Sequence, residues 1–556
     1  MGIQGPSNRR LLCIAILACL AASGRLVWSA PWQWSVAVKD ARDGGGLSRA
    51  FLWIPPDCRR VRGVVVAQHN MQEISILENP RFRRGLSDLG FAEVWCSPAF
   101  DHLFRFNQGA GRMFNGMMAD LANESGYQEL TLAPVVGLGH SAAASWPYYF
   151  AAWNPGRTLA ALSVSGQWPY YRDGGTFAPD IWGDRNIDTV PCLETMGEYE
   201  SAGTWSAEGL KERQQHPLLP LSMLACPAQG HFASTDTKVD YLVLYLKKAV
   251  QYRMPQDWTG QAMPRLIPID PTRTGWLVDR WRANQVPTAP AAPVGQYKGD
   301  PARAFWFFDE EITRATAAYQ AAYRGMKAEL LAYVQDGNEV AQRNTHQQVN
   351  LLFEPQKDGV TFSLTGSFLD TVPGASPRPA AWTGLRPDSP IGHAAGGGPI
   401  SIDRICGPLE KLGPATFAVR LRNGMVANGP LYELWFAATH PGDDQYKPAV
   451  QQAQMVIPAQ NTEGADQHIH FPPIPDQKAG TRSIGLNASS DSGAKVYYYV
   501  REGPAQIDGD TLTFTPIPPR SKYPVKVTVV AWQYGRSIEP KLKTADPIQR
   551  TFSIVK

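Results

Sequence analysis

Residues 137–145 read GLGHSAAAS, with Ser141 between Gly139 and Ala143. A serine hydroxyl becomes a nucleophile only when a base takes its proton, and the base needs a partner that holds its tautomer. The pattern G-x-S-x-[GA] is weak alone, because a chain of this length should contain it by chance on the order of 0.4 times. It occurs twice here; the other copy is GLSRA, Gly46 to Ala50. A nucleophile on a sharp turn needs a buried strand before it and a helix after it. GLSRA follows the polar KDARDGG and runs into a strand-like AFLWI. GLGHSAAAS follows the apolar LAPVVGL and leads into the helix-compatible AAASWPYYFAAW, with Pro147 early enough to be tolerated. The matching base is His231, in ACPAQGHFASTDTKVDYLVLYLKKAV, where a strand ends, a glycine turn presents the imidazole and a helix follows. His69 and His140 are the other histidines near these motifs, and His140 is expected to point away from Ser141 and pack.

The elements that must position these groups are legible as alternating strands and helices. GVVVAQH, FAEVWCSP, LAPVVGLGHS, TLAALSVSG, TVPCLETMGEYE and PLSMLACPAQGHF read as strands. ENPRFRRGLSDLG, QGAGRMFNGMMADLANESG and STDTKVDYLVLYLKKAVQYRM read as helices. Such alternation predicts an α/β domain built on a mostly parallel sheet covered by helices on both faces, ending near residue 265.

With these motifs in this order, residues 35–255 resemble the α/β-hydrolases, in particular serine esterases. The resemblance implies a chain order of nucleophile, acid and histidine, each at a strand end. It places the acid just past the strand-end Gly197, at Glu200, with Glu198 as the alternative. It implies an oxyanion hole made by the amide of Ala142 and by an amide of the loop after GVVVAQH, at Asn70 or Met71. Gln68, His69, Gln72 and Glu73 crowd that loop with polar groups, which either orient it or touch substrate. The departures are alanine for the final glycine and glutamate for the commoner aspartate. The insertion between SVSGQW and TVPCLE is short, which implies an open site. Trp168, Tyr170, Tyr171 and Trp182 fall in or beside it and are candidates to stack on substrate, with packing on the core as the alternative.

The remainder of the chain is expected to divide as follows. Residues 1–30 read as an export signal, with NRR, the short apolar LLCIAILACLAA and small residues after it; the apolar core is too short to span a bilayer. Its removal leaves no transmembrane span, and ILAC around Cys19 loosely resembles a lipid-attachment box. Residues 31–265 form the catalytic domain and 266–300, rich in proline and alanine, a linker. Residues 301–460 are expected to be a β-sandwich-like accessory domain carrying one long helix, with Ile312, Tyr319, Tyr323, Met326, Leu330 and Val334 at helical spacing. Residues 461–556 resemble the Ig-like modules of bacterial surface and secreted proteins, on the run ASSDSGAKVYYYV followed by GPA. This module is expected to fold alone and to be dispensable for small esters.

Composition excludes several classes of function. The net charge of +3 over 556 residues supplies no basic stripe for nucleic acid. Outside the signal there are five scattered cysteines and no C-x-x-C pair, and H-E-x-x-H is absent, so no metal or cofactor is expected. His468 and His470 lack a third ligand nearby and read as an edge strand. The leading expectation is an exported serine esterase acting on an ester substrate, with an acylated polysaccharide as the candidate. A peptidase or amidase, a polyester depolymerase, and a non-catalytic surface protein built on the same fold are the alternatives.

Overall fold

The apolar runs of the first 226 residues assemble into one sheet. The computed structural model describes residues 32–171, 186–343 and 348–556, apart from 376, 424, 426 and 428. The strands are β1 (Trp34–Ala37), β2 (Arg49–Trp53), β3 (Gly63–Gln68), β4 (Phe91–Ser97), β5 (Val135–His140), β6 (Thr158–Val164), β7 (Cys192–Gly197) and β8 (Leu221–Cys226). Their order across the sheet is β1-β2-β4-β3-β5-β6-β7-β8. β2 pairs antiparallel with β1 and β4, and the remaining neighbours run parallel. Every residue of β3 through β8 is buried, as helices on both faces of a parallel sheet require.

The covering helices are α1 (Glu73–Leu77), α2 (Pro80–Leu89), α3 (Ala110–Ser125), α4 (Trp146–Trp153), α5 (Ala202–Gln215) and α6 (Asp236–Arg253). Their starts are chemically specified. Asn79 Oδ1 accepts from the Arg81 amide ahead of Pro80, and Thr235 Oγ1 accepts from the Lys238 amide. α5 has a weak apolar stripe and was not anticipated from its sequence.

Two boundaries differ from the sequence expectation. The stretch 266–300 is not a free linker. It carries β9 (Trp276–Asp279) and β10 (Ala292–Pro293), which form a small sheet with β11 (Ala304–Phe307). Leu277, Val278 and Trp306 are buried in the same core as the large sheet, and Ser222 Oγ donates to the Trp306 carbonyl at 2.5 Å. The apolar WLVD and AFWF runs outweigh the prolines between them.

The expected long helix is also cut short. α7 spans Glu310–Ala321, and then Tyr323 and Gly325 take φ of 61° and 81°. Leu330 is buried beside the strand Leu331–Gln335 and Val334 lies within it, so the helical spacing of apolar residues beyond 321 was coincidental. α7 packs on the unit built around the large sheet rather than carrying the accessory domain. Thr316 and Tyr241 share a hydroxyl hydrogen bond of 2.7 Å, and Gln229 Nε2 donates to Tyr319 Oη at 2.7 Å.

From residue 331 the chain is mainly β. One core gathers around the antiparallel strands Leu431–His440 and Ala449–Pro458, and another lies between the two small sheets of residues 477–555. These cores are not cleanly separate, because Trp532 and Tyr534 from the last segment are buried in the middle one. The last segment also touches the unit of the large sheet, where Ser35 Oγ donates to Glu502 at 2.7 Å and Arg520 pairs with Glu129 at 3.2 Å. His468 pairs with Asp491 in an exposed position. Among the described residues no helix is long and apolar enough to cross a membrane.

Candidate active site

Ser141 follows the last residue of β5 directly and has φ of 54°, a backbone that residues with side chains rarely adopt. The turn is possible because Gly139 lacks a side chain; a Cβ there would overlap the Ala143 carbonyl. α4 begins five residues after the serine, so Ser141 sits between a buried strand and a helix. The competing serine, Ser48, is buried and donates to the Pro98 carbonyl at 2.7 Å.

The loops after β7 and β8 bring Glu200 and His231 together. His231 Nδ1 and Glu200 Oε1 lie 2.6 Å apart, and both side chains are nearly buried. A carboxylate at this distance fixes the Nδ1–H tautomer and leaves Nε2 as the proton acceptor. Glu198 is committed elsewhere. Its Oε1 pairs with Lys447 Nζ at 2.6 Å, and its Oε2 accepts from the Ala228 amide at 2.8 Å. His140 is fully buried, packs on His231 and Phe232, and reaches the His231 carbonyl through Nε2 at 3.1 Å. Burial holds its pKa well below the ordinary value, so it is neutral and the 3.1 Å contact is an N–H donation.

Glu73, the first residue of α1, organises the loop after β3. Its Oε2 accepts from the amides of Asn70 at 3.1 Å and Met71 at 2.8 Å, and its Oε1 accepts from the His140 amide at 2.9 Å. One buried carboxylate thereby ties this loop to the residue before Ser141, and Asn70 Nδ2 adds a bond to the His140 carbonyl at 3.0 Å. Burial pushes the Glu73 pKa up to about 7 against the opposing effect of these N–H donors. The arrangement corrects the sequence expectation for the oxyanion hole. The Asn70 and Met71 amides already donate to Glu73, while Ala142 is exposed beside the serine.

The aromatic residues divide as well. Trp168 is 1% exposed, stacked between Phe305 and Trp205, and offers no face to a substrate. Tyr170 is half-buried and lies flat on His216 with ring centres 3.8 Å apart, so one face is covered. Tyr171 is 52% exposed and meets Trp205 edge-on. Trp182 lies outside the described residues.

Sequence reasoning missed the contribution of the middle region, which has no motif to announce it. Gln452 Oε1 accepts from the Phe232 amide at 3.0 Å, next to His231. Tyr199 Oη donates to the Pro448 carbonyl at 2.7 Å. Phe232 packs with Ile405, Cys406 and Trp435, and Met71 packs against the same cluster. The segment 447–452 therefore braces the loops that carry both Glu200 and His231.

No family model and no curated protein matches the chain. Solved structures do resemble about two fifths of it. An S-formylglutathione hydrolase from Agrobacterium tumefaciens is 13% identical with a TM-score of 0.31, over 39% of this chain and 93% of that one. Dienelactone hydrolase from Anabaena variabilis is 16% identical with a TM-score of 0.27, over 40% and 98%. Est1E from Butyrivibrio proteoclasticus is 15% identical with a TM-score of 0.28, over 40% and 98%. The N-terminal part of this chain is an eight-stranded, mostly parallel sheet in which Ser141 stands on a sharp turn between a buried central strand and a helix.

Proposed function

We propose that the chain is a serine esterase that cleaves carboxylic esters through Ser141, His231 and Glu200. The observation that carries this reading is the strained Ser141 at the end of a central parallel strand, in one sheet with a His231–Glu200 contact of 2.6 Å at the ends of β8 and β7. His231 Nε2 takes the Ser141 proton as Oγ attacks the ester carbonyl. Glu200 holds the tautomer and stabilises the imidazolium that forms. In this reading the Ala142 amide donates to the developing oxyanion. Collapse expels the alcohol, which takes its proton from His231, and water then releases the acid from the acyl-enzyme by the same steps in reverse.

The export-like N-terminus, the β-rich regions with their Ig-like resemblance, and the exposed Tyr171 favour an acylated polysaccharide outside the cytoplasm as substrate. The test is turnover of p-nitrophenyl acetate by the full chain and by Ser141→Ala. The variant is expected to fold and to lose several orders of magnitude in kcat. Retention of more than about a tenth of wild-type kcat would refute the nucleophile. Acid release from acetylated, feruloylated and methyl-esterified polysaccharides then identifies the acyl group.

A further inference from the structure

A second cleft, of about 920 Å³, lies where the catalytic unit, the middle region and the last segment meet. Its volume is that of a site for a ligand of several rings. Six cationic and four anionic side chains line it. Three of the pairs close on themselves: Arg422 with Glu78 at 2.6 Å, Arg420 with Glu410 at 3.1 Å, and Lys411 with Asp403 at 2.6 Å.

Arg83 pairs with Glu93 at 3.0 Å, which leaves one carboxylate, Asp508, beside Arg404, Asn423 and Lys495. Arg404 gives its Nε–H to the Gly407 carbonyl at 3.1 Å, while its Nη2 is buried with no partner among the described residues. Asn423 is 8% exposed, and its Nδ2 likewise has none. Lys495 stands exposed at the rim, 5.4 Å from the Tyr497 ring centre. A buried guanidinium and amide left in this state cost free energy that an incoming acceptor recovers. Burial, with a smaller contribution from Arg422 and against the opposing Glu78 carboxylate, depresses the Arg404 pKa to about 10. The acids on the same walls oppose a densely charged polyanion but accept hydrogen bonds from hydroxyl groups.

From these residues we infer that the cleft binds an acidic saccharide, its carboxylate or sulfate on Arg404 and Asn423 and its hydroxyls on the surrounding polar groups. The inference stands whether or not Ser141 is the nucleophile. The site is distinct from the candidate active site, and it would hold a glycan chain while other chemistry proceeds elsewhere on the protein.

The test is calorimetric titration of the full chain with a four-residue oligogalacturonate, with a sulfated oligosaccharide of similar length, and with the carboxyl-reduced, neutral form of the first. Saturable binding of at least one acidic probe and none of the neutral one is expected. Arg404→Gln should weaken that binding by about tenfold or more, while turnover of p-nitrophenyl acetate stays within about twofold. Asn423→Ala and the rim substitution Lys495→Glu should each weaken it by a few-fold and decide the matter if Arg404→Gln does not fold. The inference is overturned if neither acidic probe binds, if the neutral probe binds equally, if the variants that fold bind like wild type, or if a single-stranded oligodeoxynucleotide occupies the site in an Arg404-dependent way.

Discussion

Glu200 and Glu198 stand two residues apart, and substituting each by glutamine should have opposite consequences. Glu200 Oε1 lies 2.6 Å from His231 Nδ1 in a nearly buried pair. Once His231 is protonated, attraction across that distance is about 6 kcal/mol at an effective dielectric near 20. Glutamine keeps the size and an acceptor oxygen but loses the charge, and it can turn its amide nitrogen toward the imidazole. Loss of about 4–5 kcal/mol of transition-state stabilisation corresponds to about 10³–10⁴ in kcat at ~1.4 kcal/mol per decade. Fold stability should change little. Glu198→Gln instead strands the Lys447 ammonium, whose side chain is 2% exposed. Leaving one member of such a pair buried costs about 3–5 kcal/mol of stability, while the folded fraction keeps its triad. The assay is kcat on p-nitrophenyl acetate beside urea unfolding of both variants. If Glu198→Gln loses about a thousandfold in kcat at unchanged stability while Glu200→Gln stays within tenfold, the assignment of the acid is wrong.

The Glu73 carboxyl titrates near 7 in the fold and near 4.3 unfolded. Its proton therefore favours the folded state fully below about pH 4.3, and that advantage, about 4 kcal/mol, is lost as pH rises to about 7. Urea unfolding between pH 4.5 and 7.5 should show this slope in wild type and lose it in Glu73→Gln; an identical slope in both refutes the shift. Truncation before Asn461 should yield an aggregating or markedly destabilised chain, because Trp532 and Tyr534 fill the middle core; a soluble truncation with wild-type melting would show that the last segment is autonomous after all. Hydrolysis of p-nitrophenyl acetate should persist in excess chelator, and its loss with recovery on added zinc or calcium would count against the serine mechanism.

What could be read from the sequence was local. The motif around Ser141 was legible because a buried apolar run, a small-residue turn and a helix lie within twenty residues, and the His231 turn has the same short range. The pairing of Glu200 rather than Glu198 with His231 was only a preference in the sequence, since two acids in one loop differ by where the backbone turns. The oxyanion-loop expectation failed at Asn70 and Met71 because Glu73, read only as a polar neighbour, takes both amides. Long-range placement was out of reach. Nothing around Trp168 distinguishes a rim residue from one stacked on Phe305, 137 positions later. The linker and the long helix were misread for a related reason: proline content and apolar spacing report local tendency, whereas WLVD pairs with a distant strand and Gly325 turns the chain out of the helix.

The bracing of the Glu200 and His231 loops by residues 447–452 has a consequence for when that pair can settle during synthesis. Ser141, Glu200 and His231 have all left the ribosome's decoding centre once α6 is made, but Lys447, Pro448 and Gln452 have not. Roughly 200 more residues must be added, which takes on the order of 10–40 s at about 5–20 residues per second. Throughout that interval the nascent chain holds a serine, a histidine and a glutamate whose loops lack three of their anchors: the Glu198–Lys447 pair, the Tyr199–Pro448 bond and the Phe232–Gln452 bond. The order of the chain thus delays the braced arrangement of the Glu200 and His231 loops until most of the protein exists.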